Sequence, residues 1–162
     1  MPNWCDNDLT ITGPKATLTA IAKLIGLTDE TPVFDFNRVI EYPQEYAEAD
    51  KKASASRTNG DWSVPDGYNH GGYNWCVQKW GTKWNVGDDV HIKSLEPSIR
   101  LNFNTAWGPP EGVIKTLARQ FPTVKISLRY FECGAAFQGR LVIEKGDILE
   151  EETKDYHGRR GG

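Results

Sequence analysis

The side chains most able to do chemistry in this chain are three cysteines and three histidines, and none is spaced for a known reaction. The cysteines are far apart, so no CxxC or CxxH pair exists for a zinc site. No Asp or His stands at a spacing typical of an activated nucleophile or of an acid–base pair. The residues concerned are Cys5, Cys76, Cys133, His70, His91 and His157. The sequence therefore predicts no catalytic residue, no metal and no cofactor.

Six tryptophans are many for 162 residues, and four of them form a candidate binding region. These four are Trp75, Trp80, Trp84 and Trp107. The first three, with Lys79 and Lys83, could form a recognition cluster, or they could anchor a short helix over 74–84 to the core. The loop 105–112 could hold an anion on free backbone amides, but its two prolines also favour a plain rigid turn.

The elements that must position these residues follow from hydrophobic periodicity. Apolar side chains alternate over 4–12, 90–93, 99–107, 124–132 and 137–144, which predicts five strands. Helical spacing follows Pro14 and again follows Pro110. The order strand-helix-strand-strand-helix-strand, with one extra C-terminal strand, predicts an α+β fold. It is the ferredoxin-like split βαβ sandwich, a mostly antiparallel sheet with helices on one face.

Two segments fall outside this pattern. Residues 44–72 are polar and nearly free of aliphatic side chains, which predicts a long insertion that is either a mobile loop or a lid. Residues 146–162 are acidic and then rich in Arg and Gly, which predicts a tail. The predicted organisation is thus one domain over 1–145, containing the insertion, followed by the tail.

The strand phase assigns side chains to the two faces of the sheet. One face is apolar and must be buried under the helices. The opposite face carries basic and aromatic side chains in a protein of net charge -3, and its candidate binding residues are Trp4, Arg100, Arg129, Phe131 and Arg140. Such a face could stack a planar anionic ligand and pair with it, or it could be an ordinary solvated sheet face.

Four ordered blocks carry a resemblance to a known family: MPNWCDNDLTITGP, NWCVQKWGTKWN, NFNTAWGPP and YFECGAAFQGRL. Together they resemble the YubB-type ferredoxin-like domains of bacteriophages and conjugative plasmids. The resemblance implies a ferredoxin-like fold and a place on a mobile element inside bacteria. It implies no catalytic residues.

Three functions remain open from the sequence. The first is a non-enzymatic accessory protein that binds a host protein or a small anionic ligand such as a nucleotide, in counter-defence. The second is a single-stranded nucleic-acid-binding module that uses the open sheet face. The third is an enzyme of unknown reaction, for which Glu132 and Cys133 with Arg100 and Arg129 are the best available set.

The sequence also predicts a compartment. No apolar segment reaches the length of a membrane span, and the N-terminus lacks the pattern of a signal peptide. We therefore expect a cytoplasmic protein with no membrane partner. The oligomeric state is left open.

Overall fold

A six-stranded antiparallel sheet forms the centre of the computed structural model, which describes residues 2–87 and 90–162. The strands are β1 (Trp4–Thr12), β2 (Val90–Ser94), β3 (Ile99–Ala106), β4 (Lys125–Glu132), β5 (Phe137–Glu144) and β6 (Asp147–Asp155). Their order across the sheet is β2-β3-β1-β4-β5-β6. The first four strands have the ferredoxin-like arrangement, and β5 and β6 extend the sheet beyond β4. The predicted fold class is confirmed.

Four helices accompany the sheet: α1 (Lys15–Leu24), α2 (Gln44–Thr58), α3 (Tyr73–Lys79) and α4 (Glu111–Gln120). Helix α1 follows Pro14 and is succeeded by Gly26, whose φ of 92° places it in the left-handed region that ends helices. Helix α4 follows Pro110, as its sequence predicts. Apolar side chains of α1 and α4 meet one face of the sheet and form a single core with it.

The predicted strand phase is confirmed by this core. Leu9 and Ile11 of β1, Leu101 of β3 and Ile126 of β4 all point to the helices, and each is no more than 1% exposed. The segment between α1 and α2 adds Phe34 and Phe36, both fully buried. Because the phase is right, the side chains assigned to the opposite face do lie there.

The insertion at 44–72 is largely helical and not a plain loop: its first half is helix α2 and its end is a helical turn, Tyr68–Gly72. Only Ala53 of α2 is buried, so the helix lacks an apolar stripe. Polar contacts fix it instead: the Asp50 carboxylate accepts the Tyr68 amide at 2.8 Å, and Arg57 pairs with Asp66 at 2.6 Å. Whether the insertion moves as a lid stays a prediction.

The prediction that residues 146–162 form a tail outside the domain is wrong. Residues 147–155 form β6, which pairs with β5 along its length, and Tyr156 donates its amide to the Ala136 carbonyl. The strand was missed because its acidic side chains, Glu150 to Glu152 among them, leave no alternating apolar pattern. Their charges are neutralised across the sheet and from α4, where Lys115 pairs with Glu151 at 2.5 Å.

Candidate functional site

The last seven residues, 156–162, form a strap over the sheet face that lies opposite the helices. Tyr156 packs against Phe131 with ring centroids 5.4 Å apart. The guanidinium carbon of Arg160 lies 4.1 Å from the centroid of the same ring. The amide of Gly162 donates to the Trp4 carbonyl at 2.7 Å. The face predicted to be open is therefore partly covered by the protein's own C-terminal segment.

Arg160 fixes the strap through two carboxylates of β1. Its Nε and Nη2 donate to Asp6 at 3.0 and 2.9 Å, and its Nη1 donates to Asp8 at 2.9 Å. Asp8 also pairs with Lys93 of β2 at 3.3 Å. Such bidentate, charge-assisted bonds are among the stronger polar contacts in proteins. They pair the only two carboxylates that β1 presents on this face.

Gly161 allows the strap to lie directly on the ends of β1 and β4. Its φ is 78°, and a Cβ at this position would overlap the carbonyl oxygens of Phe131 and Trp4. The Cys133 thiol donates to the Gly161 carbonyl at 2.8 Å. A side chain at this position would therefore lift the strap from the sheet.

A cavity of about 600 Å³, here called the strap cavity, opens between the strap and β1 and β3. Its lining residues include Trp4, Asn104 and Arg159. In the described part of the chain, no carboxylate lies within ion-pair distance of Arg159. Arg160 also lines the cavity, but Asp6 and Asp8 already neutralise its charge. The cavity thus combines an aromatic residue, an amide residue, the Asp6 carboxylate that Arg160 pairs with, and an arginine that has no carboxylate partner among the described residues.

The structure separates the five residues predicted for the open face. Only Trp4 lines the strap cavity, while Arg129, Phe131 and Arg140 line a smaller one of about 170 Å³ over β4, β5 and β6. Arg140 is paired with Glu150 at 3.2 Å, and Arg100 donates to the Ser98 hydroxyl near the opposite end of β3. Phe131 is on the predicted face but is only 7% exposed, so the expectation of an exposed ring is wrong. The strap covers it.

The second candidate region is also divided. Trp80 is 4% exposed and donates its Nε1 hydrogen to the Ile40 carbonyl at 2.9 Å, and Trp75 packs edge-on against it. These two anchor α3 to the body, which is the structural alternative that the sequence left open. Trp84 and Trp107 are 37% and 49% exposed and remain available for binding.

Trp107 has an unusual backbone for a large side chain, with a φ of 73°. The Lys83 ammonium lies 3.2 Å from the centroid of its ring, and the Trp84 and Tyr73 rings are within 6 Å of the same ammonium. The amide of Trp107 donates to the Asn3 carbonyl, so it is not free for an anion. This contact favours the interpretation of the loop 105–112, which leads into α4, as a rigid turn and not as an anion-binding site.

Two of the three cysteine thiols are held in their protonated form. Burial is the largest cause that raises the pKa of Cys5 to about 12 and that of Cys76 to about 11. Glu132 is fully buried, and its carboxylate accepts the amides of Gly134 and Ala135 in the turn after β4. A buried, protonated thiol is a poor nucleophile. Glu132, one of the residues suggested by the sequence for an enzyme, is thus already used to hold the turn after β4.

In the ranges 2–87 and 90–162, no group of three or more His, Cys, Asp or Glu side chains is close enough to hold a metal ion. No helix in the described part of the chain combines the length and the apolar character of a membrane span.

The pairing of Asp8 predicts how stability depends on pH. Burial opposes ionisation, but the hydrogen bond and charge of Arg160, with help from Asn102 and Lys93, outweigh it and hold the pKa of Asp8 below 3.8. A carboxyl group whose pKa is lower in the folded state stabilises the fold at pH values above its pKa in the unfolded state. This stabilisation is lost as the pH falls through the pKa of the folded state. Asp8→Asn should therefore lower the free energy of unfolding by about 1–2 kcal/mol at neutral pH.

Urea unfolding at about pH 7 and about pH 3 tests this expectation, since the difference between Asp8→Asn and wild type should shrink in acid. Asp147→Asn, at an exposed position of β6, is the matched control. A difference for Asp8→Asn that stays constant over this range would show that the pairing with Arg160 contributes no stability.

The fold and its covered sheet face define a class: a ferredoxin-like domain that carries a helical insertion, two additional strands and a C-terminal strap. Residues 79–160 match the family described as "Ferredoxin-like domain in Api92-like protein", and the chain belongs to this family. The matched region reaches Arg160, so it contains β6 and most of the strap. No curated protein matches the chain.

A solved structure extends the comparison to the whole fold. It is the crystal structure of the protein Api92 from Yersinia pseudotuberculosis, which is 14% identical to this chain with a TM-score of 0.59. The alignment covers 98% of this chain and 99% of that one. At this identity the likeness shows the fold alone. It includes the insertion and the C-terminal segment within one common architecture.

Proposed function

We propose that this protein is a binding protein without catalytic chemistry of its own, and that it holds a planar anionic ligand of nucleotide size in the strap cavity. The observation that carries the proposal is that Trp4 and Arg159, which has no ion-pair partner among the described residues, line one cavity of about 600 Å³. An aromatic ring stacks on a base, and a guanidinium pairs with a phosphate. Asn104 adds an amide that can donate to or accept from the base edge.

The net charge of -3 supports a small ligand over a long one. A protein that grips a nucleic-acid strand mainly through its phosphates needs a broad basic surface. Here Arg160 is neutralised by two carboxylates, and Phe131 is covered by the strap. A strand laid across the sheet would have to displace the strap first. We therefore propose a nucleotide as the ligand and keep single-stranded nucleic acid as the second candidate.

The resemblance to YubB-type domains of bacteriophages and conjugative plasmids extends the proposal to a biological role. A mobile element gains from a protein that sequesters a nucleotide signal of its host's defence. Binding alone is sufficient for that role, which is consistent with buried thiols and a structural Glu132. A host protein is the alternative target, and the half-exposed Trp107 favours it, since exposed tryptophans are common anchors of interfaces.

Calorimetric titration with nucleoside monophosphates, cyclic dinucleotides and a single-stranded oligonucleotide tests the proposal. We expect saturable binding of at least one nucleotide, and we expect Arg159→Ala to weaken it about 10-fold or more, as loss of a charge-assisted pair does. Arg119→Ala is the matched control, because this exposed arginine on α4 has Thr116 as its one hydrogen-bond partner among the described residues and lies outside the cavity.

Two results would overturn the proposal. One is equal affinity of Arg159→Ala and Arg119→Ala for the nucleotide. The other is binding of the oligonucleotide alone, with a steep loss of affinity as salt rises, which would indicate the nucleic-acid-binding function instead.

A further inference from the structure

A second cavity, of about 400 Å³, lies between the insertion and the body of the domain. Four aromatic side chains line it: Tyr42, Tyr68, Trp80 and Trp84. Asp50 projects into it from α2, and Asp35 lies on the opposite side, where the chain precedes the short helical turn Phe36–Arg38. We refer to it as the insertion cleft. Among the described residues, none lines both this cleft and the strap cavity.

The charge of the insertion cleft is opposite to that of the strap cavity. Its described lining contains two carboxylates and no lysine, arginine or histidine. Asp35 has a cation nearby, since Arg38 pairs with it at 3.4 Å. An anionic ligand would be repelled here, whereas a cation would be attracted by the carboxylates and by the faces of the aromatic rings.

Asp50 differs from Asp35 because it has no cationic partner within the described residues. Its oxygens accept the Tyr68 amide at 2.8 Å and the Tyr42 hydroxyl at 3.2 Å. Burial, and then the charge of Asp50, raise the pKa of Tyr42, so the phenol stays a donor. A half-buried carboxylate that has hydrogen bonds but no counter-ion is stabilised further by a cation.

The aromatic walls are held firmly enough to shape a site. Trp80 is fixed by its bond to the Ile40 carbonyl, and Tyr42 packs on it with centroids 6.0 Å apart. The Tyr68 hydroxyl donates to the Lys83 carbonyl at 3.2 Å. Rigid rings around one carboxylate match the chemistry of an alkylammonium ion, whose carbon chain is apolar and whose head is charged.

We propose that the insertion cleft binds a small organic cation, with its ammonium group on Asp50 and its carbon chain against Tyr42, Tyr68, Trp80 and Trp84. This role also accounts for the insertion itself, because α2 and the turn Tyr68–Gly72 supply Asp50 and Tyr68. The inference is independent of the proposed nucleotide site.

The test uses the diamine putrescine and its neutral isostere 1,4-butanediol, with the indole N–H signals of the full-length protein followed by NMR. Putrescine should shift the Trp84 indole signal in a saturable way, and 1,4-butanediol should not. Asp50→Asn should weaken putrescine binding about 10-fold or more, since it removes the charge but keeps an acceptor for Tyr68.

Trp84→Ala provides a second variant should Asp50→Asn disturb the turn at Tyr68. Read from the Trp80 indole signal, which both variants keep, Trp84→Ala should also weaken putrescine binding, whereas Trp62→Ala should not, because Trp62 is 75% exposed and lies outside the cleft. The inference is wrong if putrescine gives no saturable shift, if the diol shifts the same signals equally, or if Trp84→Ala and Trp62→Ala bind putrescine alike.

Discussion

Replacing Leu101 by alanine is expected to lower the free energy of unfolding by about 2–5 kcal/mol, as core truncations of this size do. Leu101 is 1% exposed on β3, where it lies opposite Leu9 of β1 and Ile92 of β2. Its removal leaves a cavity in the middle of the sheet that neighbouring strands cannot close. Ile126→Ala on β4, at a fully buried position, should have an effect of similar size.

Urea unfolding measures both variants, and Arg100→Ala provides the control from the neighbouring position on β3. Arg100 is exposed on the opposite face, and within the described residues its side chain bonds only to Ser98, so its loss should change stability by no more than about 0.5 kcal/mol. Equal shifts for Leu101→Ala and Arg100→Ala would mean that the phase of β3 is wrong by one residue.

Removing residues 146–162 should also have a large effect on the fold. The deletion takes away β6, which pairs with β5 and whose Thr153 hydroxyl meets that of Tyr130 at 2.6 Å. It also removes Arg160, and with it the ion pairs that Arg160 forms with Asp6 and Asp8. We expect the free energy of unfolding to fall by more than about 3 kcal/mol, a large share of the stability of a typical domain.

A shorter deletion, of residues 156–162 alone, distinguishes the strap from the strand. It should leave a cooperative unfolding transition at lower stability, because β6 still covers β5 while Phe131 becomes exposed. A protein lacking 146–162 that unfolds like the wild type would restore the interpretation of this segment as a dispensable tail.

Much of the sheet could be predicted because its strands are encoded locally. Trp4–Thr12 alternates strictly between buried and accessible positions, and its predicted bounds equal those observed. Helix α2 gives no such signal: it is anchored by Asp50 and Arg57 through polar contacts, and such contacts do not repeat with hydrophobic periodicity. Strand β6 is hidden for the same reason, since two of its acidic side chains, Glu150 and Glu151, pair with Arg140 and Lys115 outside the strand.

The candidate site was predicted in part. Trp4 was found because strand phase assigns it to the accessible face, but Arg159 and Asn104 were not singled out. Arg160 and Asp6 are 154 positions apart, a separation at which no local pattern operates. One signal was present: Asp6 and Asp8 lie side by side on the face opposite the core, and two such carboxylates favour a nearby cation.

The edge-on contact between Trp4 and Trp84, with ring centroids 6.3 Å apart, has a consequence for how the two cavities communicate. Trp4 lines the strap cavity and Trp84 lines the insertion cleft, so the two indoles form a shared wall. If a ligand bound in one cavity displaces the indole that lines it, this contact is the route by which the affinity of the other cavity changes. Thermodynamic linkage requires that this change be equal in both directions: whatever a nucleotide does to the binding of a cation, the cation does to the binding of the nucleotide.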